Sequence, residues 1–357
     1  MTNKRNIKRF HPGVYVRDAL TDLNMSSKEF SIRTGISERT LSDLINEKGS
    51  ITFDIANKLS KFLGTSINVW TNLQNSYDLY IHEEELQKEI KDDYELLKPF
   101  KKYLIDNNVI NNNDNVEMVV AKTRASISVN RISLLNTSEL LVSFKELYGK
   151  RHDENVFAQN LWLAYALTKA RKIETEPYDR SKLLNSLPLL SSLMGKKPKE
   201  FYPLLVNTLK RCGVAFTFVP YLNKSNIYGA TKWLSKETVM LAISNRGEKA
   251  DVFWFTLFHE IAHVLMEHKR YCLFQFDDTP DKDADIIASN ILIRNDDWNS
   301  FIKSHRSFTV KDIDEFAKTA NVPPFIVTGR LAKEKRISYG SDLYQRFVIK
   351  YLGEEFE

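Results

Sequence analysis

The stretch Phe258-His259-Glu260-Ile261-Ala262-His263-Val264-Leu265 lies in the last third of a chain of 357 residues. On an α-helix, His259 and His263 are one turn apart and project from one face, with Glu260 beside them. Two imidazoles so placed can hold a single metal ion, and their type and spacing suit zinc. The pattern arises by chance in about one chain of this kind in a hundred, so a fortuitous surface pair is the alternative interpretation.

The sequence around this helix predicts a small sheet before it and an acidic helix after it. Runs 214–219 and 239–243 have β-type composition and precede a helix at 252–268. Run 239–243 is either a core strand, which we favour, or an edge that binds an extended peptide. The acidic run Asp281-Lys282-Asp283-Ala284-Asp285 then offers a third metal ligand or, alternatively, stabilises a helix start.

The rest of the chain reads as helices separated by polar segments. Apolar positions in 14–80 recur at helical spacing and predict about five short helices. An asparagine-rich stretch at 106–115 is a linker or a solvated loop within one domain. Further helices at 138–171 and 181–211 are expected to form a scaffold. We therefore predict a helical domain at 1–82, a helical connector at 83–150 and a C-terminal domain at 151–357.

Residues 27–46 carry small, turn and capping residues at the positions typical of a helix-turn-helix. Ser31 is small enough to let two helices approach, Gly35 supplies the turn and Ser37 caps the second helix. Leu41 and Leu44 are then expected in the core together with Ile45. The outward face of the second helix carries Ser37, Glu38, Arg39, Thr40, Ser42 and Asp43.

Such a face can enter the major groove of DNA. Arg39 could bond guanine, and Glu38 or Asp43 could accept a hydrogen bond from a cytosine amine. Arg17 and Lys48 are placed to contact phosphates. Residues 1–65 hold eleven Lys and Arg against seven Asp and Glu, which is +4 of the chain's net +5 and favours a polyanionic partner. The alternative is a helical face that contacts another protein.

Composition excludes several classes of protein. The chain is 43% hydrophobic and 27% charged, with no apolar run long enough to span a bilayer, so no membrane role is expected. The basic start lacks the apolar region of a signal peptide. Cys212 and Cys272 are sixty positions apart, which predicts neither a disulfide framework nor a thiolate zinc site. We expect a cytoplasmic protein.

The N-terminal part resembles the HigA-type antitoxins. The resemblance rests on His11-Pro12-Gly13, the run 36–46, Ile51-Thr52 and the run 69–74, and it extends through most of residues 11–80. It implies a module that binds an inverted-repeat operator as a homodimer and restrains a partner toxin, usually a small ribonuclease.

The C-terminal part resembles the ImmA/IrrE family of metallopeptidase domains. The segments 228–234, 253–260 and 283–285 carry the resemblance. It implies a zincin-like α+β domain with a small sheet, joined to a mainly α helix-turn-helix domain. The expected ligands of Zn²⁺ are His259, His263 and Asp283, the last standing where the family usually has glutamate.

Two functions follow from this pair of resemblances. In the first, the protein is a regulator with a zinc endopeptidase activity, in which Glu260 takes a proton from the attacking water during cleavage of a repressor, a toxin or the chain itself. In the second, it is a non-enzymatic antitoxin or regulator whose zinc domain only senses or binds a partner.

Overall fold

The computed structural model describes residues 10–136, 156–267, 272–274, 282–353 and 356, with the backbone alone at 272–274. It divides into two compact units, 1–92 and 93–357. The boundary falls inside one long helix, ten residues beyond the domain end expected at residue 82. The segment expected as a connector therefore lies mostly in the second unit.

Over the described residues 10–92, the regular elements of the first unit are all helices, as the sequence predicts. Its elements are α1 (Pro12–Asp22), α2 (Ser27–Thr34), α3 (Glu38–Ile45), α4 (Phe53–Leu63) and the first part of α5 (Ile67–Leu97). Their core is formed by fully or nearly fully buried apolar side chains, among them Val16, Phe30, Leu41, Leu44, Leu59 and Trp70.

The motif His11-Pro12-Gly13 fixes the start of α1. Nδ1 of His11 accepts a hydrogen bond of 2.9 Å from the backbone N–H of Gly13, and Pro12 takes a first-turn position that needs no N–H. A Cβ on Gly13 would lie 1.7 Å from the carbonyl oxygen of Leu44 in α3. Only glycine therefore allows α1 to cross α3 this closely.

The helix-turn-helix is built by the residues that the sequence singles out. Gly35 ends α2 with φ of 68°, and Ser37 caps α3 by accepting the backbone N–H of Thr40. The hydroxyl of Ser31 donates to the carbonyl of Ile36 at 2.5 Å, so it closes the turn as well as allowing close approach.

The second unit consists of helices on both sides of a small sheet. Its elements after α5 are α6 (Lys101–Asp106), α7 (Val116–Ile127), α8 (Val156–Ala170), α9 (Arg180–Ser192), α10 (Pro198–Arg211), β1 (Val214–Phe218), β2 (Gly229–Trp233), β3 (Val239–Ile243), α11 (Ala250–Leu265), β4 (Cys272–Phe274), α12 (Lys282–Leu292), α13 (Asn295–Ser304), α14 (Val310–Ala320), α15 (Pro324–Lys333) and α16 (Asp342–Phe347).

The sheet has the order β1-β3-β2-β4. Strand β3 pairs in parallel with β1 and antiparallel with β2, and β2 pairs antiparallel with β4. Because both edges of β3 are occupied, run 239–243 is a core strand, and the interpretation of it as a peptide-binding edge is wrong. All five of its residues are buried.

The asparagine-rich stretch is a loop inside the second unit. Ile110 is buried at its centre, and the backbone N–H of Asn111 bonds the carboxylate of Asp114. Asn115 caps α7 by accepting the backbone N–H of Met118. Of the two interpretations of this stretch, the structure therefore supports the solvated loop.

Helix α11 runs through the centre of the second unit. Every residue from Phe253 to Leu265 is buried, and the helix packs on β2, β3, α12 and α15. Within the ranges described above, no helix has the length and apolar character needed to cross a membrane.

Candidate metal centre and DNA-contacting helix

Three polar side chains lie at the buried centre of α11. His259 is 2% exposed, Glu260 is not exposed and His263 is 4% exposed. A buried polar side chain costs free energy unless it is bonded, and a buried charge costs more. The two histidines therefore are not the fortuitous surface pair that the sequence allowed, and the partners of all three residues decide what they can do.

The two histidines direct their Nε2 atoms toward each other. Nε2 of His259 lies 3.1 Å from Nε2 of His263. Two nitrogens bound to one tetrahedral zinc ion at its usual bond length are about 3.3 Å apart, so the pair fits a shared ion. The distance also fits an imidazole–imidazole hydrogen bond, which a bound metal would replace.

Strand β2 positions Glu260. The hydroxyl of Thr231 donates a hydrogen bond of 2.7 Å to Oε2 of Glu260. Two residues earlier, on the same face of the strand, a Cβ on Gly229 would lie 2.9 Å from Cγ of Glu260 and 2.7 Å from Cγ2 of Thr256. Glycine at this position lets α11 lie directly on the sheet.

The sequence did not single out Gly229 and Thr231 as functional. Both lie in the segment 228–234 that carries the family resemblance, and their spacing of two places them on one face of a strand. That spacing was the available signal, but the sequence did not show that this face meets Glu260.

Helix α12 supplies a carboxylate to the histidine pair. Oδ1 of Asp285 lies 2.9 Å from Nδ1 of His259, and its Oδ2 accepts a bond of 3.1 Å from Nζ of Lys333. Burial alone would raise the pKa of Asp285, but the hydrogen bond with His259 and the charge of Lys333 together hold that pKa below its usual value.

Asp283, the ligand chosen from the sequence, lies elsewhere on this helix. It is in the first turn of α12 and exposed. The helix buries a stripe of small residues that includes Ala284 and Ala288, and Asp283 and Asp285 flank Ala284 on opposite sides. Asp285, rather than the expected Asp283, meets the histidine pair, because its side of the stripe faces α11. Asp281 lies outside the described residues.

Counting only residues that the structure describes, no group of three His, Cys, Asp or Glu side chains comes together as a metal site. His259 and His263 therefore meet as a pair, while their role as metal ligands and the identity of a third ligand stay predictions. Cys212 does not contribute, because it is buried near Ser186 and burial raises the pKa of its thiol.

In the first unit, α3 presents the face expected to contact DNA. Glu38, Arg39, Ser42 and Asp43 are exposed, as is the capping residue Ser37. Thr40 is half-buried, and its hydroxyl is hydrogen-bonded to that of Ser37 at 2.8 Å.

The two residues expected at phosphates are also at the surface. Lys48 is exposed just after α3. Arg17 donates to the carbonyl oxygen of Ile45 at 3.4 Å and lies 3.7 Å from the carboxylate of Glu47. Such exposed pairs are weak, so Arg17 can exchange Glu47 for a phosphate at little cost.

Comparison with protein families matches residues 16–70 to a helix-turn-helix family and residues 216–332 to the IrrE N-terminal-like domain of the M78 peptidases. The chain is similar to the uncharacterised HTH-type transcriptional regulator YddM of Escherichia coli K12, with 38% identity over 68 residues, 19% of this chain and 72% of that protein. It is also similar to virulence-associated protein I of Dichelobacter nodosus, with 27% identity over 85 residues, 24% of this chain and 79% of that protein.

Among solved structures, it matches one named as an antidote protein of a plasmid maintenance system from Nostoc punctiforme. The identity is 35%, the match covers 24% of this chain and 94% of that one, and the TM-score is 0.23. The matched helix-turn-helix family and the similarity to YddM both agree with the helix-turn-helix observed in the first unit. The chain therefore belongs to the helix-turn-helix family of transcriptional regulators and carries, in its second unit, an IrrE-like domain of the M78 peptidase family.

Proposed function

We propose that this protein is a cytoplasmic regulator of the HigA antitoxin type that binds operator DNA and uses a zinc site on α11 to hydrolyse a peptide bond in a protein substrate. The proposed peptidase activity rests on the contact between Nε2 of His259 and Nε2 of His263. The carboxylate of Glu260 lies on the same helix and is held by a hydrogen bond from Thr231. All of these groups are buried in one helix–strand contact.

The histidines, with Asp283 as the third ligand, would hold the ion. Asp285 orients His259 by accepting its Nδ1–H, which leaves the Nε2 lone pair for metal binding. Asp283 is exposed and lies on the flank of Ala284 opposite to Asp285, so it would join the pair only if its side chain turned toward α11. Bound zinc would lower the pKa of a water and polarise the scissile carbonyl.

Glu260 moves the proton in this proposal. Its carboxylate accepts the proton of the attacking water and delivers it to the leaving amine. Thr231 contributes by fixing Oε2, so that the carboxylate keeps one orientation through both transfers.

The test compares Glu260→Gln with wild type, both loaded with zinc. The substrates offered are the product of any reading frame adjacent to the gene and the chain itself, and cleavage is followed by mass spectrometry. We expect wild type to cut one of them and Glu260→Gln to bind the same zinc without cutting. Glu267→Gln, an exposed site after the helix, is the control. Equal cleavage by wild type and Glu260→Gln would refute the role of Glu260.

The DNA-binding half rests on the exposed face of α3. We propose that two copies contact an inverted repeat whose half-sites are about one DNA turn, roughly 34 Å, apart. Footprinting of the DNA upstream of the gene should show two protected half-sites related by a dyad. Protection of a single unrepeated site would contradict the homodimer.

A second candidate function is supported by the exposed position of Asp283. If the histidine pair serves only structure or sensing, the protein is a non-enzymatic regulator that restrains a toxin by binding it. In that case Glu260→Gln retains both repression and control of the toxin. The proposed peptidase instead loses, with Glu260→Gln, any response that depends on cleavage.

A further inference from the structure

A cavity of 320 Å³ lies between α11, α12 and α15. Its apolar wall includes Val252, Phe255 and Leu292, and its lining extends to Ile286 and Tyr339, whose residues are 58% and 40% exposed. Cavities that hold small molecules typically measure about 300–1,000 Å³, so this one suits a ligand at the small end of that range. None of the proposed zinc ligands lines it.

One end of the cavity carries a carboxylate without a cationic partner. Asp251 accepts a hydrogen bond of 2.8 Å from the hydroxyl of Tyr344, and within the described residues it forms no ion pair. Lys249, the nearest cation on its own helix, lies over the rings of Tyr339 and Tyr344 at 5.0 and 4.9 Å. Burial raises the pKa of Asp251, and the hydrogen bond from Tyr344 and the charge of Lys249 offset that rise only in part.

The other end carries the ammonium of Lys333, which can donate a further hydrogen bond to a ligand. Nζ of Lys333 bonds Oδ2 of Asp285 and lies 3.3 Å from the ring centroid of Phe255. An ammonium has three N–H donors, so Lys333 can bind a second carboxylate while keeping Asp285.

Arg330, the other cation in the lining, already donates hydrogen bonds to several protein groups. Its guanidinium donates to Glu334, to the carbonyl oxygens of Ser289 and Ile293, and to the side chain of Asn295. Lys333 is therefore the cation that a ligand can use.

The spacing of the two charges follows from how the helices pair. Gly329 of α15 lies against Asp251 of α11, since a Cβ there would be 2.6 Å from Oδ2. Four residues later on both helices, Lys333 lies over Phe255. Asp251 and Lys333 are thus offset along the paired helices by about one helical turn, roughly 6 Å of backbone rise, and both line the cavity beside its apolar wall.

We propose that this cavity binds a free α-amino acid with an apolar side chain, whose ammonium bonds Asp251, whose carboxylate bonds Lys333 and whose side chain fills the apolar wall. An apolar amine would satisfy only Asp251, and an apolar acid only Lys333. An α-amino acid carries both an ammonium and a carboxylate, so it can pair with both residues, and buried charges are stabilised by such pairing.

Titration calorimetry on the full chain tests the proposal with three probes of similar shape: L-leucine, 3-methylbutylamine and 4-methylpentanoate. We expect leucine to bind, and each of the other two to bind at least about tenfold more weakly because each lacks one charge-assisted bond. Failure of leucine to bind at millimolar concentration, or equal binding of all three probes, overturns the proposal.

Variants locate the site. Asp251→Asn and Lys333→Met should each weaken leucine binding about tenfold or more, while Lys335→Met, an exposed neighbour, leaves it unchanged. Ile286→Trp, at an exposed position in the lining, should block entry and keeps the test decisive if Asp251→Asn fails to fold. Unchanged leucine affinity in Lys333→Met and in Ile286→Trp would show that leucine binds elsewhere.

Discussion

Nδ1 of His259, on α11, is bonded at 2.9 Å to Oδ1 of Asp285, on the following helix α12. This contact fixes which nitrogen of His259 carries the proton, since a carboxylate accepts from an N–H. It joins two helices that meet along the small residues of α12 and explains why Nε2 of His259 faces His263.

Replacing Asp285 by Asn tests this contact. The amide keeps the shape but loses the charge that orients His259, so zinc affinity should fall about 10–100-fold. Competition with a chromogenic chelator measures the change. Asp296→Asn, an exposed aspartate on α13, is the matched control, and an Asp285→Asn affinity equal to that of the control would contradict the orienting role.

Thr231→Val removes the donor to Glu260 while keeping the volume of the side chain. We expect zinc binding to persist and kcat for peptide hydrolysis to fall about 10–100-fold, because the carboxylate loses its fixed orientation. Thr231→Ser should restore most of the rate, since its hydroxyl can donate again. A rate loss in both variants would mean that packing, not the hydrogen bond, is what Thr231 provides.

Gly229→Ala tests the close contact between β2 and α11. The added Cβ would lie 2.7 Å from Cγ2 of Thr256 and 2.9 Å from Cγ of Glu260, and overpacking of this kind costs about 1–3 kcal/mol. Thermal unfolding should therefore show a lower Tm. At Gly195 an added Cβ meets nothing within 4 Å, so Gly195→Ala should leave the Tm nearly unchanged. Equal values of Tm for both variants would contradict the close approach.

Arg39→Ala tests the DNA-contacting face of α3. If Arg39 bonds a base, the variant should lose about 1–3 kcal/mol of binding to the operator, with little loss on unrelated DNA. Fluorescence anisotropy at fixed salt measures both. Lys61→Ala, exposed on α4, is the control, and a uniform loss on both DNAs would reassign Arg39 to a phosphate.

Short-range sequence patterns predicted the turn and the helix cap of the first unit correctly. Gly35 and Ser37 act within a few residues of themselves, so the turn and the cap follow from short-range chemistry. Gly13 is different, because its need for glycine comes from Leu44, thirty-one residues away. Nothing near Gly13 in the sequence indicates that contact.

The histidine pair on α11 was predictable for the same reason, because His259 and His263 are close in sequence on one helix. The partners of this pair were not, because Asp285 and Thr231 reach it from other elements. Choosing between Asp283 and Asp285 required knowing which flank of α12 faces α11, and helical spacing leaves both flanks equivalent. The sequence did not indicate that Asp251 and Lys333 line one cavity, for a similar reason. They lie on α11 and α15, two helices far apart in sequence that pack together in the fold.

The most direct test of the central claim is the zinc content of the purified full chain, measured by mass spectrometry of the metal after gentle dialysis. We predict about one zinc ion per chain for wild type and for Glu260→Gln, and almost none for His263→Ala. Unfolding curves should confirm that His263→Ala remains folded. Substoichiometric zinc in wild type, or equal zinc in wild type and His263→Ala, would contradict a zinc site at the histidine pair.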